Sequence, residues 1–110
     1  NTGFALTYND QLAYNIALAK TAHSLGLAIG LKNDVDQIKD LVNYFDFAVN
    51  EECFQYSECD LLGPFVDSGK AVFGVEYNLS NASFCPKANA MNFDFLKKNL
   101  SLDAWRQSCR

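Results

Sequence analysis

Two adjacent carboxylates, Glu51 and Glu52, are the groups in this chain best suited to acid–base or nucleophilic chemistry. They follow directly on the short apolar run 47–50, and parallel barrels place their catalytic groups at the carboxyl ends of such strands. Neighbouring residues on a strand point to opposite faces, so the two carboxylates cannot flank the same bond. Because glycosidases need two carboxylates across the bond that they cleave, a sugar-processing site here would take its second one from elsewhere. The pattern alone does not decide which carboxylate faces the barrel mouth.

Two other apolar runs also end in polar side chains. Run 28–31 precedes a lysine and an asparagine, and run 71–75 precedes a glutamate and a tyrosine. Parallel strands would bring all three ends to one rim. The lysine could lower the pKa of a neighbouring carboxyl, or it could form an ordinary salt bridge at the rim. The tyrosine could stack on a sugar and the glutamate could hydrogen-bond to it; the residues concerned are Lys32, Asn33, Glu76 and Tyr77.

The elements that must hold these groups alternate in the order α-β-α-β-α-β-α-β. Thr7 is a suitable N-cap for the first helix, and Gly26 suits the position just after its end. Strands that alternate with helices predict a parallel α/β sheet with helices on its outer face. Four such units are half of an eightfold barrel, and they would leave two sheet edges open. The predicted helices cover residues 9–25, 35–44, 59–67 and 84–90, the predicted strands cover 28–31, 47–50, 70–76 and 91–96, and a helical turn is predicted at 102–105.

The four cysteines predict two disulfides. Cys53 and Cys59 would close a small loop directly after the carboxylates, which leaves Cys85 and Cys109 to join a late helix to the C-terminus. Zinc is the alternative, but the spacing is not that of a zinc knuckle and the one histidine, His23, is remote. We therefore expect disulfides, no bound metal and no cofactor.

Composition and charge limit the function classes. The chain has 110 residues, of which 49 % are hydrophobic and 14 % aromatic, which suits one packed domain and not a disordered chain. With 9 basic and 13 acidic residues the formal net charge is −4, so we expect no nucleic-acid partner. We expect no membrane partner either, since no segment has the length of a membrane-spanning helix. The acidic balance serves solubility, or alternatively it attracts a cationic ligand.

Three N-glycosylation sequons begin at Asn78, Asn81 and Asn99. Each is weak alone because the tripeptide is common, but together with the paired cysteines they predict a secreted protein. Asn99, just past the last predicted strand, is expected to be the best acceptor. A glycan on Asn78 would crowd the strand end that carries Tyr77, so we expect low occupancy there.

Four strings of this sequence closely resemble glycoside hydrolase family 114, whose members are endo-α-1,4-polygalactosaminidase-type domains on a TIM barrel. The resemblance covers essentially the whole chain. The family's asparagine-glutamate-variable-cysteine pattern falls on residues 50–53, which implies that Glu51 is the catalytic glutamate and that Asn50 lies among the substrate contacts. Its lysine-asparagine and valine-glutamate-tyrosine patterns imply that the substrate end also includes Lys32, Asn33, Glu76 and Tyr77. The strings are residues 30–34, 47–54, 69–77 and 93–100.

The resemblance also predicts that the chain is the C-terminal half of a (β/α)8 TIM barrel, about strands 5 to 8 with their helices. TIM barrels typically have about 250 residues, and the family's other catalytic carboxylate, an aspartate, is expected upstream of Asn1. The full-length protein is therefore expected to hydrolyse a cationic, galactosamine-rich polysaccharide, and residues 1–110 alone are expected to be inactive. The alternative is a non-catalytic extracellular barrel that binds glycans or has a structural role.

Overall fold

A five-stranded sheet in the order β1-β2-β3-β4-β5 forms the centre of the fold. In this computed structural model, which describes residues 7–99, 101 and 105–110, the first four strands are parallel and the fifth is antiparallel to its neighbour. The parallel strands therefore end on the same side of the molecule. The strands are β1 (Gly30–Lys32), β2 (Phe47–Glu51), β3 (Ala71–Glu76), β4 (Asp94–Lys98) and β5 (Arg106–Ser108).

The helices alternate with the parallel strands, as the sequence pattern predicts. The first helix begins at the expected N-cap: the Thr7 hydroxyl accepts from the Asp10 N–H at 3.0 Å, and the Asp10 carboxylate accepts from the Thr7 N–H at 3.2 Å. It ends before Gly26, whose φ of +73° glycine adopts without strain. Short 3₁₀ turns at Val35–Gln37 and Cys59–Leu62 precede the second and third helices. The helices are α1 (Tyr8–Ser24), α2 (Ile38–Leu41), α3 (Gly63–Asp67) and α4 (Asn81–Ala90).

One face of the sheet packs on the helices and is buried, whereas the other is largely uncovered. Side chains alternate along β2 and β3, so that Ala48 and Val72 are each 1 % exposed while Phe73 is 43 % exposed. On the uncovered side, Phe47 and Phe73 meet edge to face with ring centroids 5.9 Å apart. This side is called the open face below; it carries Phe47, Val49, Glu51, Phe73 and Val75.

Phenylalanine side chains fill the layer between the sheet and the helices. The ring centroid of Phe95 lies 5.3 Å from that of Phe54 and 6.4 Å from that of Phe84. Gly74 makes room for this cluster, since a β-carbon at this position would lie 2.0 Å from the Phe95 ring. Truncating a buried phenylalanine to alanine typically costs about 3–5 kcal/mol, so this cluster is a main source of stability.

Both expected disulfides are present. Cys53 is bonded to Cys59 across 6 residues, and Cys85 is bonded to Cys109 across 24 residues. The first bond closes the loop that follows β2. The second fixes α4 to the segment after β5, where the Cys109 N–H also donates to the Phe95 carbonyl at 3.0 Å.

The prediction is wrong at several places near the C-terminus, where α4 starts at Asn81 and not at residue 84. β4 starts at Asp94, three residues later than predicted, because Asn92 has a left-handed φ of +61° and ends the turn after α4. β5 is a strand that the sequence pattern does not predict. Its three residues are all exposed and polar, so they lack an apolar alternation, and the strand forms by pairing with β4. Of the predicted helical turn, residues 102–104 lie outside the described residues, and Trp105 is not helical.

Within the described part of the chain, no helix has the length and hydrophobicity needed to cross a membrane.

Candidate active site

Glu51 ends β2 on the open face. It is the residue after Asn50, which points to the buried side, and its side chain remains 32 % exposed. The alternation along β2 thus resolves the choice that the sequence leaves open: the first carboxylate faces the uncovered side of the sheet. Glu52, the second, has a left-handed φ of +62°, so the chain turns away directly after the strand.

Tyr77 lies beside Glu51 at the end of the neighbouring strand. Because β2 and β3 are paired with Glu51 opposite Val75, Tyr77 follows on the same side, and its hydroxyl donates a hydrogen bond to the Glu51 carboxylate. Burial, together with this carboxylate, raises the pKa of Tyr77 to about 12. The phenol therefore stays protonated and keeps its role as donor at any working pH of an enzyme.

Asn33, just after β1, holds Glu51 from the other side. Its Oδ1 accepts from the Glu51 backbone N–H at 2.8 Å, and its Nδ2 donates to the Glu51 Oε1 at 3.4 Å. These contacts require the left-handed φ of +56° that Asn33 adopts, which asparagine tolerates better than most residues. The Tyr77 hydroxyl, helped by Asn33, holds the pKa of Glu51 below its ordinary value of 4.5 against the effect of burial.

Lys32 contributes only weakly to this group. Its Nζ lies 3.7 Å from the Glu51 Oε1, and its side chain is 69 % exposed. Exposed ion pairs of this kind are worth about 0–1 kcal/mol. The ammonium adds a further small contribution to the lowered pKa of Glu51 and remains available to solvent or to a ligand.

An ionisable carboxylate with fixed hydrogen-bond donors at parallel strand ends is an arrangement suited to acid–base or nucleophilic chemistry on a sugar. The sequence model of the glycoside-hydrolase family GH114 matches residues 1–110. The chain belongs to glycoside hydrolase family 114. No functionally curated protein shows a significant match.

A solved structure agrees with the family 114 assignment. The chain is similar to Aspergillus fumigatus Ega3, crystallised in complex with galactosamine, with a TM-score of 0.87 and 36 % sequence identity. The match covers 99 % of this chain and 49 % of that chain, so the chain spans about half the length of that protein. The parallel α/β fold thus corresponds to part of a TIM barrel, as predicted.

Two of the positions that the family 114 motifs mark do not lie at the rim with Glu51. Asn50 is 1 % exposed and Glu76 is 0 % exposed, and both point to the helix-covered face. Alternation explains this, because each is one residue out of phase with its rim neighbour, Glu51 or Tyr77. Neither side chain therefore faces the open side of the sheet, where Glu51 lies. The structure brings together Lys32, Asn33, Glu51 and Tyr77.

The sequence did not predict the hydrogen bonds that Asn33 and Glu76 make. The double contact between Asn33 and Glu51 involves a left-handed residue after β1. The sequence signals for Asn33 were its place just past an apolar run and the family's lysine-asparagine pattern, and neither indicates this contact. Glu76 accepts a hydrogen bond from the Phe54 N–H at 2.9 Å, a long-range contact with no sequence signature. No group of three or more potential metal ligands occurs within residues 7–99, 101 and 105–110.

The three sequons of this family 114 chain have different surroundings. Asn78 is exposed directly after Tyr77, and Asn99 is exposed just past β4. The Asn81 side chain is engaged, since its Nδ2 donates to the carbonyls of Gln107 at 3.2 Å and Ser108 at 3.5 Å. Asn81 is therefore a poorer acceptor than its sequence alone indicates.

Proposed function

We propose that the full-length protein containing this chain is a secreted glycoside hydrolase that cleaves α-1,4-linked, galactosamine-rich polysaccharide at internal positions. Glu51 is one of its two catalytic carboxylates, and Lys32, Asn33 and Tyr77 surround the bond that is broken. The observation that carries this proposal is the Glu51 carboxylate itself, partly exposed at a strand end and hydrogen-bonded by Tyr77 and Asn33.

The orientation of the strand-end carboxylates supports a second catalytic group from outside this chain. Glu51 and Glu76 end neighbouring strands but lie on opposite faces of the sheet, so they cannot flank one glycosidic bond. A glycosidase built on Glu51 needs a further carboxylate on the open face. We propose that it is an aspartate upstream of Asn1, in the half of the barrel that would cover this face, and that residues 1–110 alone are inactive.

Two observations support the proposed substrate class, the charge of the chain and the solved relative. Galactosamine residues that lack an acetyl group are cationic, and the chain has a formal net charge of −4. Ega3 was crystallised with galactosamine. An acidic protein surface attracts such a polymer over a distance of about the Debye length, ~8 Å at physiological salt.

Secretion is part of the proposal. Two disulfides form within the described residues, and such bonds persist mainly in oxidising compartments. Exposed sequons at Asn78 and Asn99 fit the same route.

The test is hydrolysis of partially deacetylated galactosaminogalactan by the full-length protein, followed by analysis of the released oligosaccharides. Glu51→Gln should lower kcat by about 10²–10⁴-fold. Glu52→Gln is the matched control, because it neutralises the adjacent carboxylate, whose backbone turns away from the open face, and it should keep wild-type activity. Wild-type activity of Glu51→Gln would disprove the assignment.

A non-catalytic glycan-binding or structural barrel is the alternative, since fold alone does not give function. It predicts binding of the polymer without release of oligosaccharides. The sequence directly upstream of Asn1 also separates the two: an aspartate at a strand end favours the hydrolase, and an apolar or amide residue favours the binding module.

A further inference from the structure

Glu76 is a fully buried carboxyl group that the proposed chemistry does not use. It ends β3 on the helix-covered face and is 0 % exposed. Its Oε2 accepts from the Phe54 N–H at 2.9 Å, whereas its Oε1 has no hydrogen-bond partner among the described residues. Burying a carboxyl group costs folding free energy unless the group is hydrogen-bonded.

The group that Glu76 holds is the loop directly after Glu51. This loop, residues 52–59, starts with a left-handed residue, Glu52, and is closed by the disulfide between Cys53 and Cys59. Inside it, the Glu58 N–H donates to the Cys53 carbonyl at 2.7 Å. The loop is therefore held together internally, and the Glu76 carboxylate is the side chain of β3 that accepts a hydrogen bond from it.

Two consecutive residues thus make contacts on opposite faces of the sheet: Tyr77, just after β3, contacts the end of β2, and Glu76, the last residue of β3, contacts the loop that follows β2. On the open face Tyr77 donates to the Glu51 side chain, and on the covered face Glu76 accepts from the Phe54 backbone. Between them, the Glu52 N–H donates to the Val75 carbonyl at 2.8 Å. The chain around Glu51 is thus hydrogen-bonded from both faces of the sheet, in addition to the contacts that Asn33 makes with Glu51.

We propose that Glu76 is a positioning residue for the candidate catalytic carboxylate: by anchoring the Phe54 N–H it fixes the loop after β2 and so directs Glu51 toward Tyr77. The kinetic part of this inference rests on the proposed function, but the anchoring itself does not.

The surroundings of Glu76 also act on its pKa. Burial raises the pKa of Glu76 above its ordinary value, although the backbone N–H groups of Phe54 and Gln55 act against this. On the same face, the Asn50 Oδ1 is a second buried acceptor that has no hydrogen-bond partner within the described part of the chain. Asn50 is paired with Gly74, two residues before Glu76. A protonated Glu76 Oε1 would offer a donor on this face of the sheet.

The experiment uses the full-length protein with three substitutions at this position. Glu76→Gln keeps both an acceptor for Phe54 and a donor on this face of the sheet. Glu76→Leu keeps the approximate volume but removes the acceptor, and Glu76→Asp keeps the carboxyl but shortens its reach. For each variant the measurements are amide hydrogen exchange at Phe54, the pKa of Glu51 by carboxyl-carbon NMR, and kcat and KM on the galactosamine polymer.

The expected pattern separates positioning from general stability. Glu76→Leu and Glu76→Asp should speed exchange at Phe54, raise the pKa of Glu51 toward its ordinary value as the Tyr77 contact is lost, and lower kcat by about 10²-fold with little change in KM. Glu76→Gln should remain close to wild type in all three. If Glu76→Leu does not fold, Glu76→Asp tests the same contact.

Three results would overturn the inference. The first is faster exchange at Phe54 with an unchanged pKa of Glu51, the second is exchange that does not change, and the third is a Glu76→Gln variant as impaired as Glu76→Leu. Should the wild-type protein fail to cleave the polymer, the proposed function fails, while the exchange and NMR measurements still decide the positioning role.

Discussion

The Tyr77 hydroxyl and the Glu51 carboxylate are hydrogen-bonded across the ends of two adjacent parallel strands. The bond stabilises the ionised form of Glu51, whose pKa lies below its ordinary value of 4.5 chiefly for this reason. The pKa of Glu51 therefore depends more on Tyr77, an uncharged neighbour, than on the exposed Lys32.

Tyr77→Phe should move the limb of the kcat/KM profile that reports Glu51 to higher pH, because the substitution removes the main cause of the lowered pKa. The direction is the same whether Glu51 acts as an acid or as a base. A lowered pKa adds stability above pH 4.5 that is lost as the pH falls through the folded-state value, so the variant should be less stable than wild type at neutral pH and approach it in acid. Lys32→Met is the comparison, with a smaller shift in the same direction; a larger shift for it would contradict this ranking.

The two disulfides should differ in what they protect. Loop-closure entropy predicts a contribution of about 2 kcal/mol for Cys53–Cys59 and about 3.5 kcal/mol for Cys85–Cys109, whose sequence separations are 6 and 24. The shorter loop, however, follows Glu51 directly. Replacing Cys53 and Cys59 by serines should therefore lower the activity more than replacing Cys85 and Cys109 does. Replacing Cys85 and Cys109 should lower the free energy of unfolding more. Urea unfolding measures the stability and polymer hydrolysis measures the activity. The prediction is wrong if the loss of activity relative to the loss of stability is the same for both pairs.

Gly74→Ala should destabilise the fold, because its β-carbon would lie 2.0 Å from the buried Phe95 ring. Forcing extra volume into a packed core typically costs about 1–3 kcal/mol. Gly63→Ala is the control: the space around its β-carbon is empty within 4 Å and its φ of −51° suits alanine, so it should be neutral or gain about 0.4–1 kcal/mol. Thermal unfolding measures the stability of both variants. Equal stability of the two variants would contradict the prediction and would mean that the Phe95 ring can move at no cost.

Glycan occupancy should follow the order Asn99, Asn78, Asn81. Asn99 is exposed at the end of β4, whereas Asn78 adjoins Tyr77, where a branched glycan would compete with a polymer for space. Glycosylation of Asn81 would occupy the Nδ2 that binds the Gln107 and Ser108 carbonyls and would loosen β5. Intact-glycopeptide mass spectrometry of the secreted protein measures all three. High occupancy at Asn78 together with full activity would place the substrate elsewhere on the rim.

The four parallel strands and the four rim residues could be predicted because each leaves a local pattern. An apolar run ended by polar residues locates a strand end, and an even cysteine count with a short spacing indicates the loop closed by Cys53 and Cys59. The face on which Glu76 lies could not be predicted in this way, since it depends on the phase of β3, and apolar residues occupy both faces of that strand.

β5 escaped prediction for a related reason. Its residues, Arg106–Ser108, have neither alternation nor hydrophobicity, and the strand exists because β4 offers an unpaired backbone edge and Cys109 is bonded to α4. A strand that is specified by its neighbour and by a distant crosslink carries little information in its own sequence.

This last strand also determines how a cylinder could be completed from the sheet. β4 uses one flank for β3 and the other, over Leu96–Lys98, for a strand that runs in the opposite direction. Arg106–Ser108 occupies that flank over the last three residues of β4, and its hydrogen bonds to β4 are perpendicular to the chain and not slanted as in the parallel ladders. The carboxyl end of β4 is thus already paired on both sides, and a parallel strand that closed a barrel here would find this stretch of backbone in use.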